Sequence, residues 1–346
     1  MTIAGQAIRS VPGNGGTPAN HRRSKGNSLR DAAAPSLPIV FPEDTMARRI
    51  TLTAVTALCC VALGAGLVAC EEVPEESGSA SPAPSASSPA DAKAFSGTKK
   101  ISVEGHSVNV SCSGDAEDGG PVVVMMTGLG DDLTKMSGFQ KTVSEKNRVC
   151  SFDRLGQGAS DKPAGPRTVA DSGKILTGVL DRVAGDRPVV LAGHSLGGLL
   201  AARYAPDHQD RVKGLVLMDA TSPTTTADIS KVIPASAEAP ADELRAQTLA
   251  VNKGENPEML LLPDGPVRTA GDIPVEAVQH GVRYLGEVPT YGDDLERVWT
   301  EGQHQWLGIS TDSELSTAEK SAHDIYVDRP DLAVAAIRSV TARVTG

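Results

Sequence analysis

The alternation of short apolar runs with helical segments between residues 121 and 218 limits the fold of this chain more than any other feature of its sequence. The runs are of strand length and mostly apolar, as is typical of strands buried on both faces of a sheet. They are residues 121–127 (PVVVMMT), 148–152, 188–192 and 212–218. Helical patterns lie between them, at about 133–146, 169–183 and 196–204. This order predicts an α/β fold with a mostly parallel sheet flanked by helices.

Further elements extend the same domain on both sides of this block. They are strands at 100–103, 106–110 and 273–282, and a closing helix at 331–344. Residues 221–272 follow the sixth strand and are repeatedly interrupted by proline. An insertion of this length in a compact domain is typical of a functional cap or lid. We therefore expect one domain over residues 95–346, with a cap or lid insertion at about 221–272.

Charge and motif content exclude several classes of function. The formal net charge of -10 disfavours nucleic-acid binding, because such binding depends on neutralising phosphates. Metal-ligand spacings such as CxxC and HExxH do not occur in the sequence. We therefore expect no nucleic-acid partner, no metal and no other cofactor.

The first 94 residues have the features of targeting and linker segments rather than of a folded domain. Residues 1–45 are rich in Gly, Pro, Asn and Ser and predict disorder, and we expect Met46 to be the true start. Residues 46–69 join a basic beginning to an apolar stretch, as secretory signal peptides do. Residues 70–94 are rich in Ser, Pro and Ala and predict a flexible tether.

The end of this predicted signal resembles the lipobox of bacterial lipoproteins. Leu67, Val68 and Ala69 stand directly before Cys70, and two glutamates follow it. The resemblance implies cleavage before Cys70, lipidation of its thiol and anchoring of an exported protein to the outer face of the cytoplasmic membrane. An uncleaved transmembrane helix is the alternative, because the apolar run is near the lower length limit for a span.

The pentapeptide from Gly193 to Gly197 (GHSLG) stands between a predicted strand and a predicted helix. In this context G-x-S-x-G predicts a nucleophile elbow, a tight turn that exposes the side chain of Ser195. The two glycines allow close approach of neighbouring chain segments. The N–H of Leu196 would point into an anion site at the start of the helix. A turn with a structural role only is the alternative.

Residues 100–346 resemble the α/β-hydrolases of actinobacterial type, many of which are esterases or lipases. Besides the elbow, three segments carry the resemblance: 128–130 (GLG), 153–160 (DRLGQGAS) and 323–330 (HDIYVDRP). The resemblance implies the α/β-hydrolase fold, a small ester-like substrate, and an oxyanion hole formed by the N–H groups of Leu129 and Leu196. Thr127 is a departure, because the family usually has a histidine there that organises the oxyanion loop.

A serine hydroxyl is a weak nucleophile unless a base accepts its proton. His323 comes after the last strand, which gives the order Ser, acid, His that this fold requires. We therefore predict His323 as the base. His280 and His304 are alternatives, although each falls where a strand or helix face is expected.

Two positions compete for the acid that would orient this histidine. Asp219 ends the sixth strand, where some relatives, including haloalkane dehalogenases, place their acid. The seventh strand ends without an aspartate, and Asp293 and Asp294 follow it in a predicted loop. We predict Asp219, with Asp293 or Asp294 as the alternative. For the whole protein, the alternative to a Ser-His-Asp hydrolase is a non-catalytic surface lipoprotein that uses the scaffold as a binding module.

Cys112 and Cys150 are the cysteines of the predicted domain. In the sheet order of the family that the chain resembles, the strands that carry them are neighbours. The resemblance therefore implies a disulfide between Cys112 and Cys150, which an exported compartment permits. Two buried free thiols are the alternative.

Overall fold

The computed structural model describes residues 95–115 and 119–346. In this part of the chain eight strands form one sheet, in the order β1-β2-β4-β3-β5-β6-β7-β8. β2 is antiparallel to both of its neighbours, and the other pairs are parallel. The strands are β1 (Gly97–Val103), β2 (His106–Ser113), β3 (Val122–Met126), β4 (Arg148–Phe152), β5 (Val189–His194), β6 (Val212–Met218), β7 (Val275–His280) and β8 (Ser313–Ala318).

Helices cover both faces of this sheet. They are α1 (Ser137–Val143), α2 (Val169–Val183), α3 (Leu196–Tyr204), α4 (Thr225–Val232), α5 (Ala241–Asn252), α6 (Gly292–Gln305), α7 (Ile325–Asp328) and α8 (Pro330–Thr345). Alternate residues of β3 belong to two different cores: Val122 and Val124 pack in the cluster that contains α2 and α3, whereas Val123 and Met125 pack in the cluster of α1 and α8. Burial on both faces favours apolar residues at every position, which explains the uninterrupted apolar run of β3.

The predicted α/β class is confirmed, and several elements match their predicted bounds. β4, β6, α2 and α3 begin and end at the predicted residues. No sequence prediction covers the edge strand β8 or the helices α4, α5, α6 and α7. The predicted loop at Asp293 and Asp294 is wrong, because both residues lie in the first turn of α6.

The segment predicted as an insertion contains α4 and α5. These helices pack with α6 around a small apolar cluster of their own, formed by Ile229, Ile233, Ala241, Val288 and Leu295. The segment also contacts the main core, because Leu260 and Leu262 belong to the cluster of α2 and α3. It is therefore a packed layer over one part of the domain.

A disulfide joins Cys112 of β2 to Cys150 of β4. The two residues are direct partners in the antiparallel register, and both are buried. Within the described ranges, no helix is both long enough and apolar enough to cross a membrane. The disordered start at 1–45, the signal at 46–69, Cys70 and the tether at 70–94 lie outside the described residues.

Candidate active site

The carboxyl ends of four neighbouring strands bring polar side chains to one edge of the sheet. Ser195 directly follows β5, Asp219 directly follows β6 and His280 ends β7. His323 lies five residues beyond the end of β8. Parallel strands end on the same side of a sheet, and such an edge is where α/β folds bind their ligands.

The turn that carries Ser195 is strained and closely packed. Ser195 has φ 51° and ψ -122°, a conformation that side-chain-bearing residues rarely adopt. A Cβ at Gly193 would collide with the backbone of Gly197, and one at Gly197 would collide with the backbone of Met126. Both glycines of the GHSLG turn are therefore required by close approach, as the elbow motif predicts.

The Ser195 hydroxyl has a weak partner. Its Oγ lies 3.5 Å from Oγ1 of Thr221, and the hydrogen bonds of the described residues do not include one from Ser195 to His323. At that length the contact with Thr221 restrains the hydroxyl little. Catalytic hydrogen bonds are often long in the absence of substrate and tighten when it binds.

Asp219 and His323 are in direct contact. Nδ1 of His323 lies 2.7 Å from Oδ2 of Asp219. The Asp219 side chain is fully buried, whereas the His323 side chain is 32% exposed. The second ring nitrogen of His323, Nε2, is therefore the one available to a reacting group.

Asp219 also contacts a second histidine, which sequence reasoning missed as a partner. Nδ1 of His280 lies 2.9 Å from Oδ1 of Asp219, and Nε2 of the same ring lies 3.0 Å from Glu296. The indole N–H of Trp299 donates to Oδ1 of Asp219 at 2.9 Å. His280 is buried, so it is less accessible to a substrate than His323.

This arrangement changes the ionisation of its members. Burial alone would raise the pKa of Asp219, but hydrogen bonds from His280 and His323 outweigh it and hold the pKa below its ordinary value. Burial would likewise lower the pKa of His280, but contacts with Asp219 and Glu296 outweigh it and raise the pKa. The group therefore favours a charged carboxylate at Asp219 and a charged ring at His280.

His194 of the elbow is a packing residue. Its ring is buried, lies 4.5 Å from the ring of His323 and 5.1 Å from that of Tyr326, measured between centroids, and its Nε2 lies 3.0 Å from the backbone oxygen of His323. Burial, followed by the neighbouring His323, lowers the pKa of His194 to about 3. A neutral ring at this position supports the loop of His323 without adding charge.

Among the described residues, the predicted oxyanion donors have no protein acceptor. Leu196 is the first residue of α3, and Leu129 lies in the loop after β3. In the residues that the structure describes, neither backbone N–H donates a hydrogen bond to a protein group. An N–H without a protein acceptor is able to bind a developing oxyanion.

Asp293 and Asp294 lie apart from these residues. Asp293 pairs with Arg283 and Asp294 with Arg297, and both aspartate side chains are exposed. Neither has a histidine among its hydrogen-bond partners in the described ranges. The structure thus brings Asp219, and not this pair, to His323.

One group of three side chains within 95–115 and 119–346 has the spacing of a metal site: Asp131, His194 and Asp324, with ligand atoms within 4.8 Å of one another. The ammonium of Lys135 lies 3.9 Å from Asp131 and 3.5 Å from Asp324. This ammonium already supplies positive charge to the two carboxylates, and we assign no metal to them.

Known proteins share this architecture. The sequence profile of the alpha/beta hydrolase fold matches residues 121–254. The crystal structure of a serine hydrolase involved in carbazole degradation has a TM-score of 0.52 and 18% sequence identity to this chain, covering 71% of this chain and 98% of that one. The α/β-hydrolase fold expected from the sequence is confirmed.

Sequence relatives match part of the chain. A Mycobacterium tuberculosis protein of uncharacterised function is 32% identical over 113 residues, which are 32% of this chain and 32% of that protein. The human (lyso)-N-acylphosphatidylethanolamine lipase is 33% identical over 156 residues, which are 43% of this chain and 45% of the lipase. The chain therefore spans less than half the length of either relative.

Proposed function

We propose that this protein is a serine hydrolase of the actinobacterial esterase and lipase type, which cleaves small ester-like substrates through an acyl-enzyme intermediate. In this proposal Ser195 is the nucleophile, His323 is the general base and Asp219 is the acid that orients it. The observation that carries the proposal is the 2.7 Å contact between Asp219 and Nδ1 of His323, at the strand edge that also holds the strained serine of the elbow.

The first half of the reaction acylates the enzyme. Oγ of Ser195 attacks the ester carbonyl carbon while Nε2 of His323 accepts the hydroxyl proton. The carbonyl π electrons move to oxygen, and the N–H groups of Leu129 and Leu196 stabilise the oxyanion. When the oxyanion collapses, the bond to the alcohol breaks, and the departing alkoxide takes the proton from His323.

The second half releases the acyl group. His323 accepts a proton from water, and the hydroxide attacks the carbonyl carbon of the acyl-serine. Collapse of the second oxyanion breaks the bond to Ser195, which regains the proton from His323. Asp219 stays ionised throughout and stabilises the positive ring of His323, in agreement with its lowered pKa.

Active-site labelling tests the proposal. A fluorophosphonate probe should label the wild-type protein and not Ser195→Ala, and hydrolysis of p-nitrophenyl esters should fall by about 10⁶-fold in that variant. Ser222→Ala is a matched control. Ser222 donates a hydrogen bond to Asp228 within the predicted insertion, and it has no hydrogen bond to the proposed triad among the described residues. Absence of both labelling and hydrolysis in the wild type would favour the non-catalytic binding module.

An ester panel addresses the substrate. The human relative is a lipase of (lyso)-N-acylphosphatidylethanolamine, so the panel should include lysophospholipids beside simple esters of graded acyl length. A strong preference for one acyl length would indicate that the acyl chain binds in a pocket of limited depth. Equal rates on all lengths would indicate that the substrate is recognised by its alcohol or head group.

We also propose the cellular location that the sequence predicts. Cys70 would carry lipid and hold the enzyme on the outer face of the cytoplasmic membrane, with residues 70–94 as a tether. The Leu-Val-Ala-Cys ending of an apolar run supports this proposal.

A further inference from the structure

The orientation of one peptide group decides where the Leu129 N–H points. The carbonyl oxygen of Gly128 accepts two hydrogen bonds, from Nη2 of Arg154 and from Nε2 of Gln157, both at 3.0 Å. This carbonyl and the Leu129 N–H belong to the same peptide unit. Because a trans peptide is planar, they point in opposite directions. Two buried donors that hold the Gly128 oxygen on one side therefore aim the Leu129 N–H to the other.

Arg154 holds the preceding peptide as well. Its Nη1 donates to the carbonyl oxygen of Thr127 at 2.7 Å. The Thr127 hydroxyl in turn donates to the backbone oxygen of Asp131 at 2.9 Å, which closes the loop on itself. These contacts hold the loop after β3 in place. They do so at Thr127, where the family that the sequence resembles usually has a histidine.

A residue from the predicted insertion fixes Arg154 in this position. Nε and Nη2 of Arg154 donate to the two carboxylate oxygens of Glu258, at 2.9 Å and 2.8 Å. Both side chains are buried, with exposed fractions of 2% and 0%. A bidentate pair sets both the distance and the plane of the guanidinium. The pair joins positions 104 residues apart in the sequence.

The same two segments also meet through their backbones. A Cβ at Gly156 would collide with the carbonyl group of Pro257, so the chain before Glu258 lies directly against the loop of Arg154. Gly156 has φ 92°, a conformation that glycine adopts readily. The contact between Glu258 and Arg154 is therefore part of a packed junction.

We propose that Arg154, Gln157 and Glu258 are positioning residues for the oxyanion hole, and that the insertion takes part in catalysis through Glu258. Arg154 and Gln157 orient the Leu129 N–H through the Gly128 oxygen, and Glu258 holds Arg154 in place. This inference rests on the proposed hydrolase function. The three residues should therefore affect kcat more than KM, because an oxyanion donor stabilises the transition state and contributes little to the binding of the ground state.

Two variants test the proposal in the full chain. Gln157→Leu removes one donor to the Gly128 oxygen without introducing a charge. Glu258→Gln keeps the size of the side chain but removes its charge. Arg268→Gln is the matched control, because Arg268 forms an ion pair with Asp207 that also links the predicted insertion to the core but is exposed and does not touch the loop.

Two measurements are made on each variant: kcat and KM for p-nitrophenyl acetate, and hydrogen exchange of peptides covering residues 127–136. Removal of an oxyanion donor lowers kcat by about 10²–10³-fold. Misorientation of the donor should cost about 10-fold or more in kcat, with KM changed less than about threefold. Exchange at 127–136 should become faster in Gln157→Leu and Glu258→Gln, while peptides of β6 stay unchanged. Arg268→Gln should match the wild type in both measurements.

Three results would overturn the inference: unchanged exchange at 127–136 in both variants, faster exchange with unchanged kcat, or an equal loss of kcat in Arg268→Gln. Because Glu258→Gln leaves a buried guanidinium without its negatively charged partner, it is the variant at risk of misfolding, and Gln157→Leu then decides alone. A wild type that is neither hydrolytic nor labelled by fluorophosphonate would instead contradict the proposed function. The exchange data would still decide whether these residues hold the loop.

Discussion

Asp219 and His280 form a buried contact of 2.9 Å between Oδ1 and Nδ1, beside the contact of the same carboxylate with His323. The other nitrogen of His280 faces Glu296 at 3.0 Å. With both carboxylates ionised, the two contacts are hydrogen bonds only if both ring nitrogens carry a proton, which makes the ring an imidazolium. A cation between two carboxylates offsets the cost of burying them and fixes the carboxylate of Asp219 in one orientation.

Asp219→Asn tests the acid. A triad Asp→Asn change of this kind lowers turnover by about 10⁴-fold, because the histidine is held in the wrong tautomer. We expect Asp219→Asn to be folded, as judged by circular dichroism, and to lose ester hydrolysis on this scale. Asp293→Asn and Asp294→Asn are matched controls with exposed carboxylates and should stay near wild type. The reverse ranking would place the acid in α6.

His280→Gln tests the buried cation through the pH dependence of stability. The pKa of His280 is raised above its ordinary value of 6.5, because contacts with Asp219 and Glu296 outweigh burial. A raised folded-state pKa stabilises the fold fully below the unfolded-state pKa, and the stabilisation is lost as pH rises through the folded-state pKa. The free-energy cost of His280→Gln should therefore be larger at about pH 6 than at about pH 9 in urea titrations. His304→Gln, at an exposed position of α6, should show no such dependence. An equal cost at both pH values would contradict a charged His280.

The elements that could be predicted from the sequence are those whose pattern is set by burial. β4 and β6 are buried almost throughout, and α2 buries one regular face, so their hydrophobic periods reveal them. β8 is an edge strand with the sequence SELSTA, and most of its side chains are partly or fully exposed. It pairs with β7 through backbone hydrogen bonds, which leave no apolar pattern to detect.

The candidate site divides in the same way. Ser195 and His323 could be predicted because a local motif and the order along the chain indicate them. Glu296 and Trp299 could not, because their contacts depend on α6 crossing the end of β7, and α6 had no sequence prediction. His280 ends β7 beside Asp219. A histidine at the end of a strand in the same sheet is the one sequence signal that indicates this contact. Glu258 gave no signal, because its partner is 104 residues away.

Removal of the disulfide should lower stability. The loop between Cys112 and Cys150 has a sequence separation of 38 residues, for which loop-closure entropy gives about 4 kcal/mol. We expect the double variant Cys112→Ala/Cys150→Ala to lose stability on this scale in urea unfolding, and dithiothreitol to destabilise the wild type but not the double variant. Intact mass of the exported protein gives an independent check, because two free thiols there would contradict the bridge.

Cys70→Ser tests the membrane anchor, which depends on the sequence alone. One acyl chain gives marginal membrane binding, so stable anchoring of a lipidated Cys70 needs more than one chain. We expect the wild type to incorporate radiolabelled fatty acid and to fractionate with membranes, and Cys70→Ser to incorporate none and to remain unprocessed or leave the lipid fraction. Cys59→Ser and Cys60→Ser are matched controls, because these cysteines lie within the same apolar stretch but not at the predicted cleavage point. If Cys70→Ser stays on the membrane as well as the wild type does, the apolar run of residues 50–68 is a spanning helix and the lipobox resemblance is misleading.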